Sequence, residues 1–316
     1  MSKGQPAAGR DHGRNQVLRH GTGSGLSSLA PWFRLVKGLL CLPIALSAGF
    51  GALLFSPYLN LRSLLLVLGV YLLACGAAAL NSLQEVDTDR LYQRTCQRPL
   101  VTGTIGSGAA CLLILLLFSV ALLLLRFAAE SAVPLFLACL GVGLYNGLYT
   151  PLKKRSSFAL LIGGLSGATP PLIGWTAAGG PLFAPPALIL ASLFFLWQIP
   201  HFLMVLLHHH RDYASAPGFN LTQVLAQERL RRLALLWTLA YTTVALALSA
   251  LPGFLHPLSR LSNILAALTI LLAFSYQLLI RPSSNYWLLF QLLNLIFFAA
   301  MGVIAATELL ATFLNH

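Results

Sequence analysis

"LRSLLLVLGVYLLACGAAALNSLQEVDTDR", residues 61 to 90, begins as an apolar run and ends in a cluster of acids. The apolar part, about 62–84, is long enough for a helix to cross a hydrocarbon core of ~30 Å. The chain holds only eight acidic residues, yet Glu85, Asp87 and Asp89 fall within this short tail. A carboxylate at the end of a membrane span costs free energy to keep there, so it normally faces a cavity, a partner or an ion. The stretch therefore predicts a membrane helix that delivers acids to one rim of a bundle.

The rest of the 316 residues agrees with a membrane reading: 57% are hydrophobic, 9% are charged, and the mean hydropathy is +0.79. Such a composition lies outside the soluble globular range. Runs of suitable length occur at about 37–56, 62–84, 107–126, 131–150, 157–178, 184–207, 233–252, 262–280 and 286–307. The predicted fold is an all-α polytopic membrane protein of about nine transmembrane helices in one bundle. Its domain plan is a disordered cytoplasmic tail, 1–31, and a transmembrane domain, 32–316.

The net charge of +12 raises the possibility of a nucleic-acid partner, and its placement removes it. With nine spans, all but Arg62, Arg126 and Arg260 of the 20 Lys and Arg fall on the side of the N-terminus. That is the positive-inside pattern. The expectation is a bacterial inner membrane with the N-terminus cytoplasmic, in preference to a mitochondrial inner membrane. The longer charged loops, about 85–106, 150–157 and 208–232, share that side, so the active mouth is expected there. Glu130 and Glu308 lie opposite with no obvious basic neighbourhood. Five scattered cysteines, with no CxxC, predict no disulfides.

Three polar patches interrupt the apolar pattern. In the first, Asn81, Glu85 and Asp89 are spaced i, i+4, i+8 and form one stripe on a helix, with Asp87 off it. Oxygen donors of this kind suit Mg²⁺ bound together with substrate phosphates, and Arg94 and Arg98 follow with guanidinium forks that match phosphate oxygens. A magnesium diphosphate site is one reading; a loop that pairs with itself and with lipid headgroups is the other. In the second patch, "YNGLYTPLKKRSSF", Tyr145, Asn146 and Tyr149 precede Lys153, Lys154 and Arg155 at the end of the fourth span. In the third, "FFLWQIPHFLMVLLHHHRDY", Gln198 and His201 stand inside a span and Asp212 lies beyond it. Gly and paired Pro in "GGLSGATPPLIGW", 163–175, predict a broken or kinked helix.

These motifs resemble the intramembrane prenyltransferase superfamily (UbiA-type), most closely its heme O synthase, or protoheme IX farnesyltransferase, branch. The resemblance spans roughly 32–307. It rests on Asn81-x3-Glu85-x-Asp87-x-Asp89, Arg94-Thr95-x2-Arg98-Pro99-Leu100, Tyr149-Thr150-Pro151-Leu152-Lys153-Lys154-Arg155, and Trp197-Gln198-Ile199-Pro200-His201-Phe202 with Asp212-Tyr213. Glu85 stands where the family usually has Asp, and Lys37 lacks the usual Pro-Arg after it.

The resemblance implies transfer of a farnesyl group from farnesyl diphosphate to a vinyl of protoheme IX (heme b), giving heme O and diphosphate. Asn81, Glu85, Asp89 and Asp212 would be catalytic, and Glu85, Asp87, Asp89 and Asp212 would ligate Mg²⁺. Arg94, Arg98, Lys153 and Arg155 would grip the diphosphate, with Tyr149, Gln198 and His201 toward the acceptor. The implied partners are farnesyl diphosphate, heme b, membrane lipid, and a heme A synthase or terminal-oxidase assembly factor; nucleic acid is not among them. Two alternatives stand beside this reading: a prenyltransferase acting on a quinone precursor or other aromatic acceptor, and a non-catalytic heme or lipid transporter.

Overall fold

A computed structural model describes residues 25–210, 221–280 and 285–314, and those residues are helical and loop throughout, with no strand. The helices are α1 (Gly25–Val36), α2 (Gly38–Phe55), α3 (Leu61–Gln84), α4 (Val86–Asp89), α5 (Ser107–Ala128) and α6 (Val133–Leu152). They continue as α7 (Ala159–Ala177), α8 (Pro185–His208), α9 (Leu221–Val224), α10 (Gln227–Ala250), α11 (Pro257–Ile280) and α12 (Tyr286–Leu314). Among the described residues, eight helices are long and apolar enough to cross a membrane. The ninth run, read at 157–178, is present as the 19-residue α7, whose Gly, Ser, Thr and Pro content sets it apart from the other eight. Helix α1 begins inside the segment assigned to the tail, at Gly25.

Neighbouring helices pack in chain order, α3 on α5, α6 on α7, α7 on α8, α8 on α10, α10 on α11 and α11 on α12. Contact of α12 with α2 closes the ring. Outward positions carry bare leucines, such as Leu39, Leu112, Leu115 and Leu272, each more than 60% exposed. In water such surface would be a liability; in lipid it is the solvated face. Inside, one apolar cluster joins α8, α10, α11 and α12, and a second joins α2, α3, α5, α6 and α7.

Helix α7 runs without a break through Pro170 and Pro171. Pro170 has no N–H to give the Ser166 carbonyl, and the Thr169 hydroxyl donates to that oxygen instead, at 2.7 Å. Local side-chain bonding of this kind makes proline tolerable within a membrane helix. The same helix crosses α2 with backbones nearly touching. A Cβ added at Gly174 would lie 1.7 Å from the Ala48 carbonyl oxygen, and one at Gly51 would lie 2.0 Å from that of Pro171. Small residues give this close approach, the main source of helix association in lipid.

On the far rim, Glu130 does have a basic neighbour, since Arg62 reaches it at 2.5 Å from the start of α3. That proximity arises because α3 and α5 lie side by side, which places the α5–α6 turn over the α3 N-terminus. Glu308 accepts a hydrogen bond from the His256 backbone N–H at 2.9 Å.

Candidate active site

The site begins where α3 ends. Glu85 leaves helical geometry (φ −110°, ψ 7°), and the chain then makes the single turn α4. The Asp89 N–H donates to the Glu85 carbonyl at 2.7 Å, so the helical register survives the break. As a result Asn81, Glu85 and Asp89 lie buried on one side, at 3%, 7% and 5% exposure. Asp87 stands apart, its side chain almost fully exposed and 3.4 Å from Arg90.

Each buried polar group on the stripe has a charged partner, two of them from distant segments. Lys153, just past α6, places Nζ 2.7 Å from Glu85 Oε1. Arg98 places Nη1 2.5 Å from Asp89 Oδ2, and the Thr95 hydroxyl donates to the Asp89 carbonyl at 2.9 Å, tying the loop beneath α4. Asn81 accepts from Lys37 Nζ at 3.2 Å and donates to the Thr150 hydroxyl at 3.2 Å. Asn146 in turn donates to the Ala77 carbonyl and to Gln84 Oε1, at 3.0 and 3.2 Å. The rim thus joins α2, α3 and α6 through polar contacts that tolerate little displacement, because a buried group that loses its partner bears its full desolvation cost.

Lys37 sits in left-handed geometry, φ 51° and ψ 42°, between α1 and α2. A non-glycine residue there is strained by about 1–3 kcal/mol, and the turn aims its ammonium inward. Burial pushes the Lys37 pKa down to about 8, and the nearby Arg98 charge acts in the same direction. Helix α6 carries a second local irregularity, since its turn at Gly143–Tyr149 is a π-helix. The Thr150 N–H and hydroxyl both reach back to the Tyr145 carbonyl, the hydroxyl at 2.9 Å. The wider turn stacks Tyr145 on Tyr149, with ring centroids 5.6 Å apart, and Lys153 Nζ lies 5.4 Å above the Tyr149 ring.

From this rim a cavity of about 1,020 Å³ runs into the bundle. Lys37, Lys153, Tyr145 and Tyr149 line its charged end. Its inner wall carries Trp197, Gln198 and His201 of α8 facing Phe290, Gln291 and Asn294 of α12. The wall of α7 is lowered by glycine: a Cβ at Gly167 would lie 1.3 Å from Gln198 Nε2. His201 Nδ1 is 2.9 Å from Asn294 Oδ1, and the imidazole lies between Trp197 and Phe290 at centroid distances of 4.9 and 4.6 Å. A space of this size matches the upper end of the ~300–1,000 Å³ found for small-molecule sites.

Comparison with known proteins shows the family and the fold. The sequence profile of the UbiA prenyltransferase family matches residues 40–259. The chain belongs to the UbiA prenyltransferase family. It is an enzyme, a prenyltransferase embedded in the membrane. A protoheme IX farnesyltransferase of Nitratidesulfovibrio vulgaris (strain DP4) is 38% identical over 229 residues, 72% of this chain and 79% of that one. Among solved UbiA-type structures, a digeranylgeranylglyceryl phosphate synthase superposes with a TM-score of 0.74 at 16% identity, covering 90% of this chain and 99% of that one. A UbiA homolog from Archaeoglobus fulgidus bound to GPP and Mg²⁺ gives 0.63 at 16% identity, covering 86% and 100%.

Of the UbiA site residues expected from sequence, Asn81, Glu85, Asp89, Arg98 and Lys153 come together at the rim, and Tyr149, Gln198 and His201 line the cavity. Arg94 and Arg155 lie exposed, and Asp212 falls outside the described residues. Sequence reasoning passed over Lys37, Thr150, Gln291 and Asn294 as site residues. For the last two a signal existed: "LLFQLLNLIFF" puts two amides within an apolar run, the same reason His201 drew notice.

Proposed function

We propose that this UbiA enzyme transfers the farnesyl group of farnesyl diphosphate to a vinyl group of heme b, giving heme O and diphosphate. The reading also places the protein in a bacterial inner membrane with its N-terminus in the cytoplasm. What carries it is one continuous cavity lined at its charged end by Lys37 and Lys153, the partners of Asn81 and Glu85, and farther in by aromatic rings and an imidazole. The names of the relatives, protoheme IX farnesyltransferase, support the choice of acceptor.

The donor set suits Mg²⁺, because Glu85 and Asp89 offer oxygen alone from a buried rim flanked by cations. Glu85 and Asp89, with Asp212, would hold the ion. Bound there, it would supply positive charge to offset that gathering on the departing diphosphate. The Archaeoglobus homolog bound to GPP and Mg²⁺ is a precedent within the fold.

The chain's own residues account for the rest. Lys37, Arg98 and Lys153 present cationic donors where the phosphate oxygens would sit, so negative charge is met by groups already in place. The allylic C–O bond breaks, its electron pair leaves with diphosphate, and the farnesyl carbon becomes an electrophile. The vinyl π-electrons of the porphyrin form the new C–C bond. Water then adds to the resulting cation and gives up a proton. The apolar cavity wall keeps water from the farnesyl cation before that bond has formed.

Purified protein in liposomes, supplied with heme b, farnesyl diphosphate and Mg²⁺, tests the reading by mass spectrometry of the extracted porphyrins. The expected product is heavier than heme b by one farnesyl group and one hydroxyl. Prenylation of a quinone precursor with heme b untouched overturns the acceptor assignment.

A further inference from the structure

We infer that His201 binds the acceptor through an unprotonated Nε2 that ligates the porphyrin iron, and that Asn294 is the positioning residue that fixes this tautomer. The inference rests on the acceptor reading above and concerns how that acceptor is held.

The orientation of the Asn294 amide follows from its two contacts. One end of it is 2.6 Å from the Phe290 carbonyl oxygen, which only accepts, so that end is the NH₂ donor. The other end, Oδ1, is then the atom 2.9 Å from His201 Nδ1. A carbonyl oxygen only accepts, so Nδ1 carries the proton and donates. In a neutral imidazole the lone pair is then on Nε2.

Among the described residues Nε2 has no hydrogen-bond partner, and it is not among the sealed-off, unpartnered polar atoms of the interior. His201 lines the cavity, so this nitrogen keeps its access there. The ring cannot easily turn away, since Trp197 and Phe290 flank it and Trp287 stacks on Phe290 with centroids 4.7 Å apart. A histidine whose Nδ1–H is held by an oxygen acceptor, with Nε2 free, is the arrangement by which proteins orient imidazole as a metal ligand. In a ligand of the size and aromaticity that this wall suits, the group that takes a nitrogen lone pair is the iron of a metalloporphyrin. No bond to the protein breaks; Nε2 donates its pair to an open axial position.

Titration of purified wild-type protein with ferric heme b, read by optical and electron paramagnetic resonance spectra, tests the inference. Wild type is expected to show an imidazole-ligated spectrum. His201→Ala should lose it, bind heme at least tenfold more weakly, and recover it on addition of free imidazole. Metal-free protoporphyrin IX should bind both proteins within twofold, because it offers no iron. Asn294→Leu should weaken heme binding, whereas Asn294→Asp, which keeps an acceptor oxygen, should retain the ligated spectrum. Identical heme spectra in wild type and His201→Ala, with prenylated porphyrin still formed by wild type, overturn the inference alone. No heme spectrum in wild type, with another acceptor prenylated, overturns the acceptor reading beneath it.

Discussion

The two rims of the bundle each hold an Arg–carboxylate pair at the same distance, and they differ in everything else. Arg98–Asp89 and Arg62–Glu130 are both 2.5 Å apart. The Asp89 side chain is 7% exposed and the Glu130 side chain is 83% exposed. Water and salt screen the outer pair, so it contributes little. In the inner pair the Asp89 carboxylate is buried, so removing Arg98 strands it. Arg62 does hold the Glu130 carboxyl below its usual range, yet a lowered pKa on a solvated group says nothing of function. Identical pair chemistry therefore separates into a member of the candidate site and an ordinary surface contact according to burial.

The sharpest way to break this contrast is Asp89→Asn, which keeps the shape and removes the charge. Turnover should fall by about 10²–10³-fold, the range for losing one preorganised electrostatic group, measured as prenylated product per minute in liposomes. Next in size is Glu85→Gln, with a comparable or somewhat smaller loss, while Glu85→Asp should keep most of the activity at raised Mg²⁺; full activity in the Gln variant removes Glu85 from the set. Lys153→Met leaves Glu85 buried without its cation. Because Lys153 is about one-third exposed, the cost should be ~1–3 kcal/mol, below the about 3–5 kcal/mol of a fully buried pair, read as a lower melting temperature in detergent. The smallest effects belong to Asp87→Asn and Glu130→Gln, which should leave turnover within twofold and melting unchanged.

Asp87 and Asp89 also show how far the sequence could be read. The i, i+4, i+8 spacing separated them, and the same separation holds in the fold even though α3 ends at Gln84, because α4 resumes the helical register. The partners of the stripe were less legible. Arg98 is nine residues from Asp89, whereas Lys153 reaches Glu85 from just past the end of α6, and Lys37 reaches Asn81 across 44 positions through a left-handed turn that no local pattern announces. Likewise "GGLSGATPPLIGW" reads as a broken or kinked helix, and only the Thr169 bond to Ser166 shows why the helix continues without a break.

By itself the sequence determined the membrane class, the run of spans, the side that carries charge and the stripe of acids, because hydrocarbon thickness and helical period act on consecutive residues. The tertiary structure decided which cation meets which acid, that α8 and α12 bring His201 to Asn294, and that α7 comes close enough to α2 to leave a cavity beside them. Those are contacts between distant segments, set by how side-chain volumes pack, and neither spacing nor composition encodes them.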